Sequence, residues 1–468
     1  MPPPPRGAVA APGRQFLSPG VPRRAALAFL GLALLSPAAA AGERQGAAAP
    51  ARAAATAPLL RPVSWHALPG WTEDRPSEAL PALLESCRAF AALPAERAPD
   101  APEQAPPPGG SPAAWRALCA EAAALRAALA RPAGPAPGTE GAIAARREAR
   151  ARRFFERRFR PFAVAAPGLL TGYYEPILRG ARAPGPSFPV PLYAPPPELA
   201  EATIAPVAQG GAPGAPAARR VWGQWRDGRL EPLPDRAAIE DGALAGRGLE
   251  LVHVDDPVEA FFLHIQGSGR VVLADGTLLR LGHAGQNGHP YRAIGRILIE
   301  RGEIPRERMS LQAIRAWLNA PGREGEERGR RLMRENPSFV FFRLVEGLRP
   351  DQGPIGTLGV PLTPMRSLAV DPAFVPLGAP VFLATHGEGG GGPPLRRLVV
   401  AQDTGGAIRG PARGDLFVGW GPEAGDRAGR MREPVEMFVL LPRERTAGAA
   451  PWPGRTGGER ATGTPRRS

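Results

Sequence analysis

Apolar residues recur along this chain with two periods, and the change between them falls near residue 168. Over Ser77–Leu93, Leu80, Leu83, Leu84, Cys87 and Phe90 lie three and four apart, which predicts an amphipathic helix. A second helix is predicted after Ser111-Pro112, because a capping Ser with Pro at the first helical position is a start signal. It places Trp115, Leu118, Cys119, Ala122, Leu125 and Leu129 on one face and stops at Pro132. Arg146–Arg160 has the same period, with Phe154, Phe155 and Phe159 inward and its charges on a solvated face. From Gly168 onward, short apolar runs alternate with Gly, Pro and Asn-Gly turns. Leu169–Tyr174, Phe188–Tyr193, Ala260–Gln266, Arg270–Leu273 and Thr277–Leu281 read as strands. Tyr291–Arg301 and Ser310–Leu318 return to helical spacing. Phe339–Phe342, Arg366–Val370, Pro380–Leu383, Leu398–Gln402, Asp415–Trp420 and Val435–Leu441 read as strands again. The pattern is that of a mainly β chain with N-terminal helices, an α+β fold without internal repeats.

Composition qualifies this picture. The 468 residues include 58 Gly and 60 Pro, about a quarter of the chain, which leans toward disorder. Against that, 43% apolar and 22% charged residues suffice for a packed core. One disordered polymer and one compact domain are both excluded. The low-complexity share is expected in a linker at 42–57, loops at Ala98–Gly110 and Arg131–Gly138, and a disordered tail at 446–468.

Arg23-Arg24, the apolar run Ala25–Leu35, Ser36-Pro37 and an Ala-rich end near Ala41 describe a secretory signal over 1–41. The apolar run is about half the ~20 residues that span a bilayer. No Cys lies near the expected cut, so a lipid anchor is not supported. The expected location is the periplasm or cell envelope. Cys87 and Cys119 fall on the apolar faces of neighbouring helices. In an exported protein they form either a disulfide or two buried thiols. Neither has a His nearby in sequence to make it a nucleophile.

The net charge of +14 is carried entirely by Arg, with no Lys. Segments 1–60, 441–468 and Arg146–Arg160 hold +5, +4 and +6, leaving the remainder at −1. A nucleic-acid site needs a basic stripe on a folded face, so no nucleic-acid partner is expected.

Three blocks have the composition of a site. Thr171-Gly172-Tyr173-Tyr174-Glu175-Pro176 holds two of the four tyrosines beside a carboxylate. His264-Ile265-Gln266-Gly267-Ser268-Gly269 precedes a polar run from His283 to Arg292 that includes Asn287-Gly288-His289. Ala401-Gln402-Asp403-Thr404-Gly405-Gly406-Ala407-Ile408 precedes Gly414-Asp415-Leu416-Phe417-Val418-Gly419. Gly267-Ser268-Gly269 lacks Walker spacing and a Lys. His283 and His289 have no third ligand at metal spacing, so neither a metal nor a cofactor is expected.

Together with Asn336–Phe342 and Gly359–Thr363, these blocks resemble the membrane-bound lytic murein transglycosylase A family. They do so in order, across about 165–442. The third block, ending at Ala428-Gly429, resembles that family's three-aspartate C-terminal module. The resemblance implies a double-psi β-barrel, a smaller inserted β-barrel-like domain and a groove between them. The barrel would combine 58–174 with 350–445, and the insertion would be 175–349. The implied partner is a peptidoglycan glycan strand, whose MurNAc-β-1,4-GlcNAc bond is cleaved to leave a 1,6-anhydro end. Asp415 matches the single acid/base and Asp403 its helper. Tyr173 and Tyr174 match sugar platforms, and Gln266, Ser268, Asn287 and His289 match polar sugar contacts. Asp426 sits near the place of a further carboxylate. Arg413-Gly414 departs from the aromatic residue that some members place before the acid. A monomer, open to complexes with other cell-wall enzymes, is expected. Two other readings stay open: a non-catalytic wall-binding or wall-loosening protein, and a two-carboxylate muramidase that leaves reducing ends.

Overall fold

The first strand, β1 (Leu60–Pro62), is followed by three helices: α1 (Leu80–Ala91), α2 (Pro112–Ala130) and α3 (Glu140–Arg158). The structure, a computed structural model, describes residues 59–92, 112–131, 140–204, 219–387 and 393–443. The expected signal, linker and tail, and all but Arg131 of the two expected loops, lie outside the described residues. Leu80, Leu83 and Phe90 of α1, Trp115 and Leu118 of α2, and Phe154 and Phe155 of α3 are buried together. They pack on Phe382, Leu398, Val400, Phe438 and Leu440 of the following sheet. A disulfide joins Cys87 to Cys119, with Cα atoms 5.6 Å apart, and staples α1 to α2. Phe159 is buried as expected but lies outside the helix. Pro161 has no N–H to extend α3, and the chain pairs instead as β2 (Phe159–Val164).

Next come β3 (Leu169–Glu175), β4 (Ile177–Ala181), β5 (Val190–Tyr193), β6 (Ala200–Ile204), β7 (Arg219–Arg226), β8 (Arg229–Glu231) and a single-turn α4 (Arg236–Ala238). They are followed by β9 (Glu250–Val254), α5 (Pro257–Gln266), β10 (Ser268–Leu273) and β11 (Leu278–Gln286). Three helices, α6 (Ile294–Glu300), α7 (Leu311–Leu318) and α8 (Arg323–Arg334), lead to β12 (Val340–Leu344). The last segment holds β13 (Ser367–Val370), β14 (Pro380–Thr385), β15 (Arg396–Asp403), β16 (Arg413–Trp420), α9 (Gly421–Arg430) and β17 (Arg432–Pro442).

The expected strand at Ala260–Gln266 is instead the helix α5. Its start is fixed by the Asp256 side chain, which accepts from the Val258 and Glu259 amides, and by Pro257 at the first position. Val258, Ala260, Phe261, Phe262, Leu263 and His264 are all buried. A helix covered all round shows a continuous apolar run, which by periodicity alone reads as a buried strand.

Eight strands form one sheet in the order β1-β2-β17-β14-β15-β13-β16-β3, and β17 also pairs with β3. The last six therefore close into a ring, which leaves them no free edge. A second sheet has the order β12-β11-β10-β4-β9-β5, and a small third one has β6-β7-β8. Each large sheet has its own core. Leu170, Val381, Val399, Leu416 and Val439 lie in the first, and Leu178, Leu192, Val252, Val271 and Phe342 in the second. No helix among the described residues is long and apolar enough to cross a membrane.

Candidate active site

Three neighbouring strands of the ring bring Asp403 and Asp415 together. On β13, Ala369 faces Asp403 of β15 on one side and Asp415 of β16 on the other. Two strand spacings put the aspartate Cα atoms roughly 10 Å apart. On the far side of β16, Asp415 is in register with Thr171 of β3, and Phe417 with Tyr173. Alternation along β3 puts Thr171 and Tyr173 on one face.

The two carboxyl groups have different surroundings. Asp403 is held from three directions. Its Oδ1 accepts from the Thr357 amide at 2.9 Å and the Thr357 hydroxyl at 3.0 Å, and its Oδ2 accepts from the Tyr173 hydroxyl at 2.8 Å. Burial raises its pKa, and these donors offset only part of the rise. Among the described residues Asp415 has one donor, the Thr171 hydroxyl at 2.5 Å from Oδ1, and Arg413 donates in turn to that hydroxyl at 2.9 Å. Burial raises the Asp415 carboxyl to about 6, opposed by Thr171 and Arg413 and assisted by the like charge of Asp403. Asp415 Oδ2 has no hydrogen-bond partner among the described residues. The result is an unequal pair: Asp403 is held by several protein donors that offset part of the effect of burial, while Asp415, with fewer donors, is raised to about 6. Tyr173 is pushed well above the ordinary phenol range by burial and by Asp403, so it remains a donor. Its ring lies 5.5 Å from that of Phe417.

The other residues singled out in sequence divide into two groups. Gln266 ends α5, half-buried, and its Oε1 accepts from the Tyr174 amide at 3.1 Å, while its Nε2 protons have no partner among the described residues. Ser268 is half-buried at the start of β10. Tyr174, expected as a sugar platform, is 3% exposed and belongs to the core. Its ring lies against Gly425 of α9, where a Cβ would come within 3.0 Å of it, and its hydroxyl accepts from Arg315 at 2.6 Å. It has no open face on which to stack a sugar. Asn287 is fully buried. Its amide donates to the carbonyls of Pro234 and Pro337 and accepts from the Phe339 amide, so its capacity is used in holding loops. His289 donates from Nε2 to the Leu233 carbonyl at 2.8 Å, joining the same loop cluster. Asp426 is exposed on α9, where it accepts from Gln312, and it joins neither aspartate.

Sequence reasoning missed Thr171, Thr357 and Arg413 as members of the site. For Thr171 a signal existed, because its spacing of two from Tyr173 places both on one strand face. For Thr357, 46 residues from Asp403, no local pattern reveals the contact.

Residues 169–343 match the MltA specific insert domain, and residues 366–441 match the 3D domain. Membrane-bound lytic murein transglycosylase A of Vibrio cholerae is 35% identical over 290 residues, which are 61% of this chain and 68% of that protein. A crystal structure of a membrane-bound lytic murein transglycosylase from Agrobacterium tumefaciens has a TM-score of 0.65 and 32% identity, covering 82% of this chain and 97% of that one. A structure of E. coli MltA with bound chitohexaose has a TM-score of 0.50 and 31% identity, covering 64% of this chain and 79% of that one. With this identity sustained over more than two thirds of a relative, and both family domains matched in order, the chain belongs to the membrane-bound lytic murein transglycosylase A family of enzymes.

Proposed function

We propose that this protein is a peptidoglycan lytic transglycosylase that cleaves the MurNAc-β-1,4-GlcNAc bond with Asp415 as its single acid/base, leaving a 1,6-anhydro-MurNAc end. The observation that carries this reading is the asymmetry of the carboxyl pair. Both oxygens of Asp403 are occupied, whereas Asp415 is raised to about 6 with one oxygen unpartnered. A muramidase working through two carboxylates needs a second one free to attack or to activate water. Asp403 is not free in that way.

One carboxyl is enough when the nucleophile belongs to the substrate. Protonated Asp415 gives its proton to the glycosidic oxygen, and the bond from that oxygen to the MurNAc anomeric carbon breaks. The C6 hydroxyl of the same sugar bonds to that carbon and returns its proton to Asp415. Water is neither consumed nor released. Attack within one ring supplies the effective molarity that a positioned water would otherwise require. Burial does most to keep Asp415 protonated for the first step, and the like charge of Asp403 adds to it. Gln266 and Ser268 are proposed as polar contacts to the sugar, and Tyr173 acts by holding Asp403.

The bound chitohexaose in the E. coli relative supports a glycan as the ligand. The closed six-stranded ring supports a double-psi β-barrel built from 58–174 and 350–445. The gathering of β4–β12 outside that ring supports an inserted domain at 175–349, with the substrate groove between the two. A periplasmic or envelope location and a monomeric enzyme belong to the same proposal.

Digestion of purified peptidoglycan by the wild type and by Asp415→Asn, with products read by mass spectrometry, tests the reading. Anhydro-muropeptides from the wild type, reduced about 10³-fold or more in the variant, are expected. Reducing-end muropeptides would point to hydrolysis, and a folded wild type that releases nothing soluble would point to a binding protein.

A further inference from the structure

The strands that carry the partners of the two aspartates are tied together at one place. Glu175, fully buried, ends β3 two residues after Tyr173 and four after Thr171. Its Oε2 accepts from Arg270 Nε at 2.7 Å, and both its oxygens accept from Arg280 Nη2, at 3.1 and 3.2 Å. These arginines belong to β10 and β11 of the second sheet. The remaining nitrogens of Arg270 donate to the carbonyls of Pro350 at 3.0 Å and Gln352 at 2.9 Å, and Arg280 Nη2 also donates to Gln352 at 3.1 Å. The segment held this way runs on to Thr357, which fixes Asp403. Its Gly353 lies so close to Phe417 that a Cβ would fall 2.6 Å from the ring. The Arg270 guanidinium also lies 4.0 Å from the ring centre of Trp420, the last residue of β16 and five beyond Asp415.

We propose that Arg270 and Arg280 are positioning residues for the acid pair: by gathering Glu175, the Pro350–Gln352 carbonyls and Trp420 into one buried cluster, they set the separation of Asp403 from Asp415 and lock it to the second sheet, which carries Ser268 at the start of β10, just after Gln266 at the end of α5. The proposal rests on the reading of Asp415 as the acid/base. Packing alone does not explain the cluster. Two buried guanidinium groups on one carboxylate are costly, and apolar residues of similar volume stabilise such a position as well or better. Planar forks contribute fixed directions instead. Here those directions lead to β3, to the segment bearing Thr357 and to β16. The groups that face Asp415 are Asp403, Tyr173, Thr171 and Arg413. Loosening the cluster moves β3 and the Thr357 segment, letting Asp403 and Tyr173 draw away and water approach Asp415.

The test is anhydro-muropeptide release by the full-length protein between pH 4 and pH 9, with thermal unfolding followed in parallel. Wild type, Arg270→Lys, Arg270→Gln and Arg280→Lys are compared. In the variants kcat is expected to fall about 10- to 100-fold, the loss typical of a small misplacement of reacting groups, while KM changes less than about threefold. The alkaline limb of the pH profile is expected to move down by about half a pH unit or more, because Asp415 loses part of what holds its proton. Arg270→Lys is expected to restore little of what Arg270→Gln loses. If the arginine variants do not fold, Trp420→Leu removes the stacking contact, keeps both arginines and Glu175, and is expected to move the same limb in the same direction. An unmoved alkaline limb in folded variants, with losses that follow thermal stability or KM alone, overturns the proposal. A wild type that makes no anhydro product overturns the reading of Asp415 and is thereby told apart from failure of the cluster.

Discussion

At the residue scale, the acid role proposed for Asp415 sets catalysis against stability. Its carboxyl is raised to about 6 from an ordinary 3.8, chiefly by burial. The folded protein therefore binds this proton more tightly than the unfolded chain, and stability is lost as pH rises from about 4 through about 6. Two pH units correspond to about 3 kcal/mol at most, and less for a half-buried group that water partly screens. Asp415→Asn removes the penalty. Its thermal midpoint is expected to exceed that of the wild type at pH 8, by about 1–3 kcal/mol of stability, and to converge with it near pH 4. On the proposed mechanism, wild-type kcat/KM should decline above about pH 6, as Asp415 loses the proton it would donate. Unfolding scans of both proteins at the two pH values decide the first expectation. A variant that is less stable at pH 8 would mean that the carboxylate is well accommodated there and is not held under tension.

At the element scale, the disulfide joins α1 to α2 across 32 residues, in the helical layer and on strands of chain that carry no site residue. Closing a loop of that length stabilises the fold by about 3–4 kcal/mol in the chain-entropy account. Cys87→Ala with Cys119→Ala is expected to lower the melting temperature and to leave the rate at 25 °C nearly unchanged. Reductant should lower the melting temperature of the wild type and leave that of the variant where it is. The helices themselves were legible because Leu80, Leu83 and Phe90, or Trp115 and Leu118, repeat with one clear period against one core. α5 was not legible, since burial on every side erases the period, although Asp256-Pro257 marked its start. Asp403 and Asp415 could be singled out through motifs. Their placement on either side of Ala369 arises from pairing between β13, β15 and β16, which no local pattern encodes. Asn287 shows the opposite case: a polar residue in a motif that serves to hold Pro234, Pro337 and Phe339 in place.

At the scale of the whole molecule, the net charge of +14 says little about where ionic interactions matter. Pairs such as Arg296–Glu300 and Arg323–Glu327 lie in solvent and contribute about 0.5 kcal/mol or less. Asp74 and Arg366 are different. Both are buried, and they join the segment before α1 to the start of β13, three residues ahead of Ala369. Asp74 also accepts from the Leu398 amide at 2.7 Å, while Arg366 donates to the Leu398 carbonyl at 2.7 Å and to Glu78 at 2.7 Å. Removing the carboxylate leaves a buried guanidinium with only its weaker, half-exposed acid partner, at a cost of about 3–5 kcal/mol. Asp74→Ala is therefore expected to lower the melting temperature by the same amount in 50 mM and in 1 M NaCl, since ions do not screen a buried pair. Arg296→Ala, its surface counterpart, should change stability by less than about 0.5 kcal/mol. A salt-dependent loss in Asp74→Ala would instead place water at the pair and make the contact between the helical layer and β13 looser than the distances indicate. A salt-independent loss, with activity at 25 °C falling alongside it, would mean that the N-terminal helices help hold the strand between the two aspartates.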